Sequence, residues 1–131
     1  MNIVNKYESP LVLKGIEITE ASFKKQTTDV NELELRLDVG REVKNIEHNT
    51  YEVILETTIS EKDDMLSVYV KTRGVFYTEQ ENLDMIDRNT IAIMFPYVRS
   101  YISLLSTQPG MQPIVLPAMN ILAMMQDKSN R

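Results

Sequence analysis

The chain has 131 residues, of which 43% are hydrophobic and 25% charged, the composition of an ordinary globular domain and not of a disordered segment. Its net charge of −5, without a basic cluster, argues against binding to nucleic acid, and the absence of cysteine excludes disulfides and thiolate chemistry. No apolar run is long enough to span a membrane, so we expect a single cytoplasmic domain over residues 1–131 that does not insert into a membrane.

The first half of the chain shows the alternation that is typical of β-strands. Residues 11–23 alternate in two pieces whose parity changes at Gly15, which predicts a β-bulge or an ordinary irregular strand. Residues 32–39 alternate strictly and predict a half-exposed strand. The charged residues 40–49, which include His48, predict a long connection.

Two further strands are predicted as a hairpin. Residues 51–59 and 65–77 alternate on either side of the turn-forming residues 60–64, and Gly74 predicts an interruption of the last strand. Four strands followed by helices predict an α+β fold. Its sheet is a four-stranded antiparallel meander, packed against one long and one short C-terminal helix.

Residues 90–105 carry apolar side chains at helical spacing, in a stripe wider than one small sheet can cover. We therefore expect a second copy of the chain to cover the remainder. The predicted oligomer interface comprises Ile91, Phe95, Val98, Tyr101, Ile102 and Leu105. Pro96 predicts a helix start near Met94 or a kink there, because an interior proline costs about 3 kcal/mol. Residues 82–88 predict a separate short helical turn.

The C-terminal part of the chain is apolar and interrupted by proline. Residues 108–117 combine three prolines and one glycine with four apolar side chains, which predicts a stiff, extended loop. Half of the eight methionines lie within residues 111–125. Flexible thioether side chains suit a surface that accepts many apolar sequences, and filling a core gap explains them equally well at this point.

An ordered set of short motifs resembles the SecB family of protein-export chaperones. The set comprises Ser-Phe at 22–23, Tyr-Glu-Val at 51–53, Gly-Val-Phe at 74–76, Phe-Pro-Tyr-x-Arg at 95–99 and Leu-Pro-Ala-Met-Asn at 116–120. The resemblance covers nearly the whole chain. It implies an ATP-independent holdase that needs no cofactor, forms a homotetramer as a dimer of dimers, and binds unfolded or preprotein clients in an apolar groove.

Carried over by position, the resemblance also implies a peptide-binding site. Its residues are Val30, Leu33, Phe76, Ile114, Leu116, Met119, Leu122 and Met125. The client is either an exported protein or a dedicated chain such as an antitoxin, because some SecB-like chaperones are tied to toxin systems.

The family docks to the SecA motor through acidic residues on the solvent face of the sheet. The corresponding positions here are Glu20, Lys24, Ser67 and Tyr69, which the alternation of the first and last strands places on one face. Only Glu20 keeps the family's charge, and Lys24 reverses it. Docking to the motor is therefore expected to be weak or absent.

No catalytic or metal-binding set accompanies these features. His48, the only histidine, lies in a polar segment, and the chain has neither cysteine nor a Gly-rich phosphate loop, so we expect no enzyme and no bound metal. The alternative to a chaperone is an oligomeric structural or scaffold protein that uses the same fold and keeps its apolar strip as a permanent interface.

Overall fold

The computed structural model describes residues 9–26, 33–117, 120 and 123. Four strands precede one helix: β1 (Val12–Lys25), β2 (Arg36–Glu47), β3 (Thr50–Ser60), β4 (Leu66–Tyr77) and α1 (Leu83–Leu105). The predicted α+β class is confirmed.

The strands form one antiparallel sheet in the order β1-β4-β3-β2. The sheet has the predicted four antiparallel strands, but only β2, β3 and β4 follow the order of the predicted meander. Strand β1 pairs with β4 rather than with β2, so β1 and β2 are the two edges of the sheet.

The second strand lies further along the chain than the sequence predicted. It occupies Arg36–Glu47, so most of the predicted connection 40–49 is strand, and only its first residues overlap the predicted strand 32–39. Its charged side chains are exposed except that of Arg41, whose Nε donates a hydrogen bond to Asp87 Oδ1 of α1 at 3.0 Å. The Arg41 side chain is 3% exposed, and this ion pair compensates the burial of its charge.

Strand β1 carries two bulges. Its register against β4 shifts between Leu13 and Gly15, which confirms the predicted bulge, and again between Ile18 and Glu20, where no glycine indicates it. The shifts keep Leu13, Ile16 and Ile18 on one face of the sheet despite their uneven spacing.

Strands β3 and β4 form the predicted hairpin. Glu61 organises the turn, because its Oε1 accepts hydrogen bonds from the backbone N–H groups of Asp63 at 2.9 Å and Met65 at 3.1 Å. Strand β4 runs unbroken through Gly74, so the predicted interruption is wrong. The glycine instead permits a close approach, since a Cβ at this position would lie 2.8 Å from Met94 Sδ of α1.

Helix α1 begins earlier than predicted. Asn82 caps it, with Oδ1 accepting a hydrogen bond from the Met85 N–H at 3.1 Å, so residues 82–88 belong to the same helix and the predicted start near Met94 is wrong. Pro96 lies inside the helix and is exposed, where it removes a backbone hydrogen bond without entering the core.

The core lies between α1 and the inner faces of β3 and β4. The strands contribute Val53, Leu55, Ile59, Val68, Val70 and Phe76. The helix contributes Ile91, Met94, Phe95, Val98 and Ile102.

The predicted second helix lies almost wholly outside the described residues. Ala123 is helical, and its backbone N–H donates a hydrogen bond to Asn120 Oδ1 at 3.0 Å, as at a helix N-cap.

Candidate functional site

The inner face of the sheet is only partly covered, because α1 packs mainly on the two central strands. The inward apolar side chains of the edge strand β1 therefore stay half-buried at the margin of the core; these are Leu13, Ile16, Ile18 and Phe23, here called the β1 strip. An edge strand with a half-covered apolar face can bury further apolar surface against another polypeptide segment.

The loop after α1 adds apolar side chains to the same core. Ile114 and Leu116 are half-buried and pack against it, whereas Val115 between them is 79% exposed. Two serines of the helix end hold this loop. Ser103 Oγ donates a hydrogen bond to the Ile114 carbonyl oxygen at 2.8 Å, and the Ile114 N–H donates one to Ser106 Oγ at 2.7 Å.

A cleft of about 680 Å³ lies where β2 separates from β3 beyond the last paired residues, Arg36 and Ser60. Its lining combines the half-buried Leu33 and the exposed Leu35 with charged side chains from the β3–β4 turn. The cleft is open, and its lining is both charged and apolar.

The residues predicted to bind peptide lie in different parts of the fold. Leu33 lines the cleft, and Ile114 and Leu116 lie in the loop beside α1. Phe76 is fully buried between the sheet and α1, so its assignment to a peptide-binding surface is corrected to the core, where the parity of β4 places it. Four further positions, Val30, Met119, Leu122 and Met125, lie outside the described residues.

Most residues predicted to form an oligomer interface are core residues of the chain itself. Four of them are at most 3% exposed beneath their own sheet: Ile91, Phe95, Val98 and Ile102. They pack inside the protomer and do not form an available surface in this fold. Tyr101 and Leu105 are half-buried, and the exposed apolar side chains of α1 are Leu83, Tyr97 and Leu104.

The outer face of the sheet carries the four residues predicted for motor docking. In the β1–β4 register Lys24 lies opposite Ser67, Ser22 opposite Tyr69, and Glu20 opposite Lys71, so these positions share one face of the sheet. Their role in motor docking stays a prediction. Tyr69 Oη donates a hydrogen bond to Glu56 Oε2 at 2.9 Å.

An arginine neutralises part of the acidic charge on this face. Arg73 Nε donates a hydrogen bond to Glu52 Oε2 at 2.6 Å, and Arg73 lies 3.6 Å from a Glu17 carboxylate oxygen. The hydrogen bond to Glu52 and the nearby carboxylates raise the pKa of Arg73.

Within the described part of the chain, no group of three or more His, Asp or Glu side chains is placed to hold a metal ion. His48 is exposed in the β2–β3 turn, where its Nε2 lies 3.2 Å from Asn49 Nδ2. No helix among the described residues is long and apolar enough to cross a membrane.

Among the described residues, a half-covered apolar margin runs along the β1 edge of the sheet, and an open cleft lies at the end of the β2–β3 pair. Comparison with known sequences identifies the family. The sequence model of the SecB family, preprotein translocase subunit SecB, matches residues 10–131. The chain belongs to the SecB family.

Individual relatives agree with this assignment. An uncharacterized protein of Methanocaldococcus jannaschii is 32% identical over 101 residues, covering 71% of this chain and 65% of the relative. The protein-export protein SecB of Methylobacillus flagellatus is 30% identical over 98 residues, covering 70% and 62%. The chain thus spans a little under two thirds of the length of these curated relatives.

Solved structures share the fold at low sequence identity. A SecB-like chaperone of Mycobacterium tuberculosis, in complex with a ChAD peptide from the HigA1 antitoxin, superposes with a TM-score of 0.69 at 11% identity, covering 84% of this chain and 88% of that chain. A protein of unknown function from Streptococcus agalactiae has a TM-score of 0.50 at 8% identity, covering 82% of this chain and 97% of that chain. The predicted SecB-like fold is confirmed.

Proposed function

We propose that this chain is an ATP-independent cytoplasmic holdase that captures unfolded polypeptides without a cofactor. Family membership supports the proposal, as does the shared fold with a SecB-like chaperone that holds an antitoxin peptide. The observation that carries it is the half-buried state of the β1 strip and of Ile114 and Leu116 in the loop after α1, since apolar side chains at the margin of the core can bury further surface against an added apolar segment.

The geometry suits an extended client. Side chains on one face of a strand recur every second residue, about 6.6 to 6.8 Å apart, which is also the spacing along an extended peptide. Burying about 400 Å² of apolar client surface releases about 10 kcal/mol, and association costs about 4 to 15 kcal/mol. At most about 6 kcal/mol remains for binding, which corresponds to a dissociation constant between micromolar and millimolar, so capture is reversible, as a holdase requires.

The proposed client site extends from the β1 strip to Leu33, Ile114 and Leu116. The predicted contributions of Val30, Met119, Leu122 and Met125 remain part of the proposal. Methionine side chains would let this region repack around different client sequences.

The client class is an unfolded polypeptide, for which exported preproteins and a dedicated antitoxin are the two proposed sources. The antitoxin peptide in the M. tuberculosis relative motivates the second source. An unfolded preprotein and a synthetic antitoxin segment, titrated separately, will distinguish them by affinity.

The test is suppression of aggregation when an unfolded model protein is diluted from denaturant. We expect the unmodified chain to suppress aggregation, and Ile18→Gln and the pair Met119→Gln with Met125→Gln each to bind the client roughly fivefold to tenfold more weakly, because each loses about 1 to 1.4 kcal/mol of apolar burial. Val12→Gln is the matched control, since Val12 lies on β1 opposite Tyr77 on the outer face.

If the unmodified chain assembles but does not bind the client, the proposal is overturned and a structural scaffold is favoured. If Val12→Gln weakens client binding as much as Ile18→Gln does, the inner face of the sheet is not part of the client site.

A further inference from the structure

The loop after α1 is held by two serine side chains that bind both backbone groups of one residue. The Ser103 hydroxyl donates to the Ile114 carbonyl, and the Ser106 hydroxyl oxygen accepts from the Ile114 N–H. The Ser106 hydroxyl donates its own hydrogen bond to the Ser103 carbonyl oxygen, at 3.2 Å. Donor and acceptor roles are therefore fixed, and we call the two hydroxyls the serine clasp.

The serine clasp is partly buried. Ser106 is fully buried, and Ser103 and Ile114 are half-buried. A buried hydroxyl or amide that is left without a partner costs about 1 to 3 kcal/mol, a penalty that applies most fully at Ser106. The bond from the Ile114 N–H to Ser106 Oγ, at 2.7 Å, is short for an N–H···O bond, and the bond from Ser103 Oγ to the Ile114 carbonyl oxygen, at 2.8 Å, has the usual length for an O–H···O bond.

Binding both the N–H and the C=O of one residue fixes the register of an extended segment, as a paired residue does in a β-sheet. The exposure pattern shows this register, because Ile114 and Leu116 face the core while Val115 is 79% exposed. Pro113 and Pro117 restrict the backbone on either side of this segment, so anchoring Ile114 orients all of it. A slip by one residue would exchange the inward and outward side chains.

We infer that Ser103 and Ser106 are positioning residues for client binding. They hold the loop in the register that presents Ile114 and Leu116 at the margin of the core. The inference rests on the proposed holdase function. It gives Ser103 and Ser106 a role in that function that requires no contact with the client.

The test replaces each hydroxyl and follows the loop and the client separately. Ser103→Ala and Ser106→Ala should raise hydrogen exchange at the Ile114 amide and weaken client binding by about threefold to tenfold each, the equivalent of one lost hydrogen bond. Ser103→Thr keeps a hydroxyl and should restore affinity. Thr107→Val is the matched control, since the Thr107 hydroxyl binds the Ser103 carbonyl and not the loop.

Each outcome decides between distinct claims. Faster exchange at Ile114 with unchanged client affinity in both alanine variants would overturn the positioning role and leave the holdase function standing. Failure of the unmodified chain to bind any client would overturn the holdase function, and this inference with it. If Ser106→Ala fails to fold, Ser103→Ala and its threonine rescue give the same decision. Equal weakening by Thr107→Val would overturn the inference.

Discussion

At the scale of single residues, Tyr69 shows how the outer face of the sheet alters the chemistry of a side chain. Burial, the hydrogen bond to Glu56, and the negative charges of Glu56 and Glu20 raise the pKa of Tyr69 to about 12. The neutral phenol donates to a carboxylate, and the phenolate would be repelled by it.

We expect Tyr69 to titrate near pH 12 in the native protein, measured as the phenolate absorbance difference between the unmodified chain and Tyr69→Phe. Glu56→Gln should lower this pKa, because it removes the hydrogen bond to a carboxylate and the negative charge of Glu56, both of which raise the pKa. Since the ordinary pKa is 10.0, the contribution of Tyr69 to the free energy of unfolding is complete below pH 10 and lost as pH rises through about 12. A Tyr69 titration midpoint near pH 10 in the native protein would contradict this account.

Sequence patterns located some functional residues and missed others for physical reasons. The uneven alternation of Leu13, Ile16 and Ile18 was visible in the sequence, but only the sheet order shows that β1 is an edge that α1 leaves half covered. Ser103 and Ser106 stand out by no motif or spacing in the sequence. Their partner Ile114 lies 11 and 8 residues away across a loop, a distance at which no propensity rule operates.

At the scale of elements, the outer face of the sheet carries charges of both signs. The resemblance implies an acidic docking face, but Lys24 and Tyr69 lie on this face, and Arg73 pairs with Glu52 and lies 3.6 Å from Glu17. We propose that docking to the SecA motor is weak or absent, because a cation on this face repels a basic partner.

The docking proposal is tested by titrating the motor's basic C-terminal segment at low salt. We expect weak binding by the unmodified chain and binding at least about tenfold tighter when Lys24→Glu and Tyr69→Glu are combined, since each adds negative charge facing the segment. High salt should reduce the difference, because the added charges are screened. Tight binding by the unmodified chain, equal to that of the double variant, would refute the proposal.

Strand β2 and helix α1 differ from their predicted bounds for one reason. In each, contacts with residues distant in the sequence outweigh the local sequence pattern. The charges of β2 predicted a loop, but an edge strand tolerates charges on its outer face, and the single inward charge, Arg41, is paired with Asp87, 46 residues away. Pro96 predicted a helix boundary, yet packing of the apolar face beneath the sheet outweighs its cost of about 3 kcal/mol. The hairpin turn and the bulge at Gly15 were predictable because local residues determine them.

At the scale of the whole molecule, the apolar surface of α1 is divided between two uses. Its broad stripe led to the prediction of a subunit interface, but the chain's own sheet covers Ile91, Phe95, Val98 and Ile102. The surface that remains includes Tyr97 at 52% exposure and Leu104 at 71%, with Tyr101 half-buried beside them in the sequence. We propose that these outward residues, rather than the buried four, meet other copies in a tetramer built as a dimer of dimers.

Two aspartate substitutions distinguish the core from the proposed interface. Leu104→Asp should leave the circular dichroism of the fold unchanged and weaken association by roughly tenfold or more, because it places a charge in an apolar contact. Ile102→Asp should unfold the chain, since an unpaired buried charge costs on the order of 3 to 5 kcal/mol, comparable to the total stability of a small domain. Leu104→Met keeps the apolar surface and should assemble normally. Sedimentation of the unmodified chain as a monomer, or a Leu104→Asp variant that still assembles, would contradict the proposed interface.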